Sequence, residues 1–217
     1  MGSSIAQLFA GHGYRVVLYD INDEVLEKSR KLILINQEAL AQSGGLSGKN
    51  RESIRDNITF SCKKESFERA DFVIEAIIEK MEIKHSFWSE ISALVPEKAI
   101  LTSNTSGLSL TEIAKAVRKP ERFCGMHWLN PPHICPLVEI INGDKTAPET
   151  ADIVYDLACD IPRYPVRLKA EVPGLLVNRF QFAVLREAMS LVEARVAQKE
   201  EIDKVFKDGL GLRYACL

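Results

Sequence analysis

A helix that crosses a bilayer needs about 20 consecutive apolar residues, and no run in this 217-residue chain approaches that length. An excess of one charge is lacking too. Lys and Arg number 28 against 30 Asp and Glu, a formal net charge of −2. That balance carries neither the basic footprint of a nucleic-acid binder nor an acidic tail. The five cysteines, at 62, 124, 135, 159 and 216, never form a C-x-x-C pair. Odd in number and scattered, they read as reduced thiols of a cytoplasmic protein without a metal site. The opening residues, MGSSIAQLFAGHGYR, lack the basic-then-apolar layout of a secretory signal. Internal repeats and low-complexity tracts are absent as well. What remains is a chain 46% apolar, long enough for one large or two modest domains.

Helical and strand periods alternate along the first 170 residues. Residues 2–10 place Ile5, Leu8 and Phe9 on one helical face, and residues 15–20 form an apolar strand ending in Asp20. A helix that starts on small residues and leads to a strand ending in an acid is the back half of a dinucleotide-binding unit. An acid at that position accepts from both ribose hydroxyls and repels a 2′-phosphate. No arginine follows in INDE, so the pattern favours NAD over NADP. A long helix begins at the cap Asn22. Residues 43–55 read as a polar, mobile excursion. Strands are expected at 58–60 and 72–76, the latter running on to Glu79, with a helix over 80–94. This alternation predicts a parallel, doubly wound sheet. Ser109 and Glu112 match a capping box. Pro173-Gly174 breaks the pattern, and residues 175–196 and 200–207 then read as helices, which puts a domain boundary near 171.

Most of the available chemistry lies in residues 103–141. Asn104, Thr105 and Ser106 follow an apolar strand beginning at 99–101, where polar groups reach a strand end. Residues 122–126 form the next strand and deliver His127 at its far end; WLNPP is a stiff turn. Glu139 is the single charge in the apolar run LVEII. A carboxylate there is costly unless something pairs with it, and the neighbouring strand carries the histidine. Histidine beside a carboxylate is a proton-transfer arrangement, the acid fixing the tautomer and supporting the imidazolium. Spacing alone leaves open whether the two touch.

Six stretches, MGSSIAQLFAGHGYRVVLYD, DFVIEAIIEKMEIK, SNTSGLSL, GMHWLNPPHICPLVEII, VPGLLVNRF and DGLGLRYA, together resemble the 3-hydroxyacyl-CoA dehydrogenase family over almost the whole chain. The resemblance implies an α/β fold: a Rossmann-type doubly wound parallel sheet, followed by the start of an all-helical dimerisation domain. Met1 falls inside the family's glycine-rich fingerprint, so the first strand and most of the helical domain are expected to be missing. The expected domains are 1–171, binding NAD, and 172–217. The implied activity interconverts an L-3-hydroxyacyl-CoA and a 3-oxoacyl-CoA by hydride transfer with NAD. The implied partner is a small-molecule substrate rather than nucleic acid or membrane, in a homodimer when full length. By the same resemblance the catalytic pair is His127 and Glu139, and Ser106 and Asn178 contact the substrate. NAD contacts fall on Asp20, Glu79, Lys84, Ser106 and Asn130, and the last fingerprint glycine on Gly2. Two alternatives stay open. The turn Asn130-Pro131-Pro132, together with Asn36 and Ser43 where some acyl-CoA enzymes carry serine and lysine, suits a relative acting on a free hydroxy acid such as L-gulonate. A truncated, catalytically idle fragment is the other.

Overall fold

In the computed structural model, residues 1–42 and 48–214 are described. They divide into two compact units, Met1–Pro173 and Gly174–Leu217. The first opens with α1 (Gly2–Gly11), which buries Ile5 and Phe9 one turn apart. It closes at Gly13, whose φ of 89° is left-handed backbone that glycine adopts without a Cβ clash. Then follow β1 (Val16–Tyr19), α2 (Asp23–Gln42), α3 (Gly48–Asn57), β2 (Ile58–Ser61), β3 (Phe72–Glu75), α4 (Met81–Leu94) and β4 (Ile100–Ser103). The unit is completed by α5 (Leu110–Ala114), β5 (Phe123–Trp128), β6 (Leu137–Ile141), α6 (Pro148–Asp160) and β7 (Tyr164–Leu168).

The strands form two pieces: β1 pairs in parallel with β2, and β3-β4-β5-β6-β7 make a five-stranded sheet. Among the described residues, β1 and β3 each keep one edge without a strand partner. Strands β3, β4 and β5 are parallel, and β6 with β7 is parallel, but β5 and β6 are antiparallel. That departs from the all-parallel expectation for a physical reason. Only residues 129–136 link β5 to β6, and a parallel return needs a crossover of about a dozen residues or more.

Three other expectations are corrected. Strand β3 stops at Glu75 instead of continuing to Glu79, because Glu75 turns its own carboxylate onto the Ile77 N–H at 3.0 Å and draws the backbone out of the sheet. Of the polar excursion expected at 43–55, residues 43–47 (Ser43 among them) lie outside the described residues, and the chain from Gly48 is helical. One apolar side chain holds that polar helix: Ile54 packs with Ala10 and Ile33, while Ser53 Oγ and Asn57 Nδ2 donate to the Ala10 carbonyl. In the second unit, α7 spans Val177–Glu193 rather than 175–196, since Gly174, Leu175 and Arg195 all have positive φ. A short helix α8 (Lys199–Lys204), a π-turn (Val205–Leu210) and α9 (Gly211–Tyr214) follow. Among the described residues no helix is long and apolar enough to cross a membrane.

Side chains alternate across the sheet, and the alternation sorts chemistry from packing. Cys124, Met126 and Trp128 of β5, with Val138 and Ile140 of β6, pack under α1 and α6. The opposite face carries Phe123 against Trp88 of α4, with ring centroids 5.2 Å apart. Gly125 lies beneath Leu110 on this second face, and His127 ends the row.

Candidate active site

His127 and Glu139 are direct cross-strand partners in the antiparallel register of β5 and β6. Their side chains therefore meet on one face, with His127 Nδ1 2.8 Å from Glu139 Oε2. Both are almost fully buried, at 3% and 1% exposure. A buried carboxylate takes the proton-bearing nitrogen, so Nδ1–H donates to Glu139 and the lone pair is left on Nε2. On that side stands Ser106 Oγ, 3.2 Å away and able to donate to it. Asn104 braces the same end, its Oδ1 accepting from the Trp128 N–H at 2.8 Å.

Ser106 belongs to a turn held by Glu79. Glu79 Oε1 accepts from Thr105 Oγ1 at 2.5 Å, from the Ser106 N–H at 2.8 Å and from the Gly107 N–H at 3.1 Å. Burial pushes the Glu79 carboxyl upward. The donors from Thr105 and Ser106 and the Lys84 ammonium outweigh that and hold it below its ordinary range. Lys84 is itself 1% exposed, its Nζ 2.6 Å from Glu75 Oε1 and 3.2 Å from Glu79 Oε2. Resemblance made Lys84 a cofactor contact; here its ammonium lies between two carboxylates.

The remaining predicted residues are spread along the carboxyl ends of the strands and beyond. Asp20 follows β1 directly, with Oδ1 accepting from the Ile21 N–H at 2.8 Å. Gly2 opens α1 beside that strand end: a Cβ built on it would stand 3.7 Å from Leu18 Cδ1, an ordinary contact, so space alone does not demand glycine there. Asn130 is exposed in the turn after β5, before a cis Pro131. Asn178 lies in the first turn of α7, in the second unit. Sequence reasoning passed over Glu75, a lone charge inside the run FVIEAII and 2% exposed in the structure. Like Glu139, it is a charge in an apolar strand, which is the signal for a buried partner.

The groups present fit a dinucleotide. The N-terminus of α1 has no side-chain cap, and a helix N-terminus of that kind suits a pyrophosphate. An acid sits at the end of the next strand, and strands β3, β4 and β5 end on the same edge. Fold and site thus define a dinucleotide-binding α/β unit with a buried histidine–carboxylate pair at the strand ends. Residues 1–172 match the family described as "3-hydroxyacyl-CoA dehydrogenase, NAD binding domain", and residues 174–217 match "3-hydroxyacyl-CoA dehydrogenase, C-terminal domain". The chain belongs to the 3-hydroxyacyl-CoA dehydrogenase family, a family of NAD-dependent oxidoreductases, and its cofactor is NAD. It is 36% identical to 5-formyl-3-hydroxy-2-methylpyridine 4-carboxylate 5-dehydrogenase of Mesorhizobium japonicum, over all of this chain and 70% of that protein. It is 38% identical to a probable 3-hydroxybutyryl-CoA dehydrogenase of Bacillus subtilis, over 97% of this chain and 73% of the relative. The crystal structure of (S)-3-hydroxybutyryl-CoA dehydrogenase from Ralstonia eutropha superposes with a TM-score of 0.91 at 32% identity, over 97% of this chain and 74% of that one.

Proposed function

We propose that this protein interconverts an L-3-hydroxyacyl-CoA and a 3-oxoacyl-CoA, with His127 as the acid and base. The observation that carries this is the buried His127–Glu139 contact, which leaves Nε2 as the basic nitrogen at the strand ends. Relatives named 3-hydroxybutyryl-CoA dehydrogenase support the substrate class. When bound, NAD supplies the hydride acceptor or donor. In oxidation His127 Nε2 takes the hydroxyl proton of the substrate; in reduction it returns that proton to the new alkoxide. Glu139 keeps Nδ1 protonated and supports the imidazolium that forms. Ser106 and Asn178 hold the reacting oxygen and its neighbouring carbonyl, a positioning role. Asp20 holds the adenosine ribose and the α1 N-terminus from Gly2 the pyrophosphate. Glu79 and Asn130 complete the cofactor side, with Lys84 acting on it through Glu79. We assign residues 1–171 to the NAD-binding domain and 172–217 to a dimerisation element, in a cytoplasmic homodimer. The exposed apolar residues of α7 support the association of two copies.

The test follows loss of NADH absorbance with acetoacetyl-CoA. His127→Gln should abolish turnover while the NADH Kd from calorimetry stays about unchanged. Turnover retained in that variant would remove His127 from the chemistry. A free hydroxy acid as substrate stays as the second reading, since one relative carries a name that is not that of a CoA ester enzyme, 5-formyl-3-hydroxy-2-methylpyridine 4-carboxylate 5-dehydrogenase. L-Gulonate assayed with NAD beside the CoA ester separates the two.

A further inference from the structure

We infer that Glu75 is a positioning residue for this reaction: through Lys84 and Ser103 it holds the 103–108 turn so that Ser106 stays against the imidazole of His127. The inference rests on the reading of His127 as acid and base. It starts from a carboxylate that touches neither member of the buried pair, yet is withdrawn from water. Burying a carboxylate and an ammonium costs several kcal/mol each and persists only where geometry and further hydrogen bonds compensate. At Glu75 they do. Its side chain is 0% exposed, and each oxygen has defined donors. Oε1 accepts from Lys84 Nζ at 2.6 Å and from the Ile77 N–H at 3.0 Å; Oε2 accepts from Ser103 Oγ at 2.7 Å.

Two limbs leave this carboxylate and reach the same turn. One passes through Lys84 Nζ to Glu79 Oε2 at 3.2 Å, and Glu79 Oε1 then holds Thr105 Oγ1 and the N–H groups of Ser106 and Gly107. The other passes through Ser103 Oγ, which accepts from the Thr105 N–H at 3.3 Å. The turn closes on itself where the Leu108 N–H donates to Thr105 Oγ1 at 3.1 Å. Its product is the placement of Ser106 Oγ, 3.2 Å from His127 Nε2. That distance is at the long end for such a bond, so a small shift of the turn would break it. Glutamine is nearly isosteric with Glu75 but offers one acceptor oxygen where the site presents donors on both sides. Either the Lys84 ammonium loses its charged acceptor or the Ser103 hydroxyl must reverse its hydrogen bond to accept from the amide, so the turn is no longer held as in the parent.

Nitrogen NMR correlation spectra of the imidazoles in the ligand-free protein read the last link directly, with His127→Gln identifying the His127 signal. Glu75→Gln is expected to move the Nε2 resonance in the same direction as Ser106→Ala, and to lower kcat by about 10- to 100-fold. In the Ser106→Ala background, Glu75→Gln should cost no more than about twofold further, because both act on one contact. If Glu75→Gln leaves Nε2 at its parent position, or if the two losses multiply, the inference is overturned. Should the single variant fail to fold, Glu75→Gln with Lys84→Met removes the stranded ammonium; the same Nε2 shift is expected there, and an unshifted Nε2 overturns the inference equally. Activity retained by His127→Gln would instead sink the acid–base reading and leave the Nε2 comparison to be judged alone.

Discussion

The tautomer of His127 is set by one contact, the 2.8 Å approach of Glu139 to Nδ1. An amide at position 139 could offer its NH₂ to Nδ1 and stabilise the tautomer with the proton on Nε2, the wrong nitrogen for accepting one. Glu139→Gln is therefore expected to lower kcat by about 10²–10⁴-fold, the usual range for losing a general base, with NADH affinity little changed; steady-state kinetics beside a cofactor titration check this. Asp20 answers a different question. On the proposed assignment its carboxylate accepts from the ribose hydroxyls and repels a 2′-phosphate, so Asp20→Ala should weaken NADH binding and narrow the preference over NADPH. A parent protein that already prefers NADPH would contradict the assignment. At this scale His127 and Glu139 were legible because a charge in an apolar strand demands a partner. The role of Glu75 was not, because its donors come from Ser103 and Lys84 on other elements.

Elements position these residues through close packing and caps. Strand β5 passes beneath α5 only because residue 125 is glycine: a Cβ there would stand 2.5 Å from Leu110 Cδ1 and 3.2 Å from Ile141 Cβ. Leu110 can swing aside, but Ile141 Cβ cannot. Gly125→Ala is thus expected to destabilise by about 1–3 kcal/mol, seen as a lower urea midpoint with an unchanged slope. Helix α5 is capped at its start by Ser109 Oγ, which accepts from the Glu112 N–H, and by Glu171, which accepts from the N–H groups of Leu110 and Thr111 and from Thr111 Oγ1. The serine was visible as a local motif; Glu171, some 60 residues on, was not. Burial raises the Glu171 carboxyl, and the donors from Thr111, Ser109 and Leu110 overcome it, so its pKa falls below the ordinary 4.5. A depressed folded pKa stabilises above the unfolded value, and the contribution fades as pH falls through the folded one. Glu171→Gln should accordingly lower Tm at neutral pH, with the gap to the parent closing below about pH 4.5. A gap independent of pH would refute the capping role.

For the whole molecule, the open surfaces matter most. Phe180, Phe182, Leu185 and Met189 are each at least half exposed on α7. Apolar surface of that kind favours association. We expect the protein to run as a dimer or larger at micromolar concentration in multi-angle light scattering, and Phe180→Glu with Leu185→Glu to shift it towards monomer. A monodisperse monomer in the parent would contradict this. Alternating periods in the sequence by themselves determined the α/β class and most of the alternation of strands and helices, because burying one face of a strand or helix imprints a period on the chain. The acid after β1 and the lone charge in β6 were equally plain. Only the tertiary structure decided the antiparallel return of β6, the helical state of 48–57, and the junction of Glu75, Lys84 and Ser103 beneath the Ser106 turn. Those depend on which elements lie side by side: connection length settled the first, a single buried Ile54 with its neighbours the second, and an ion pair and a hydroxyl drawn from three elements the third.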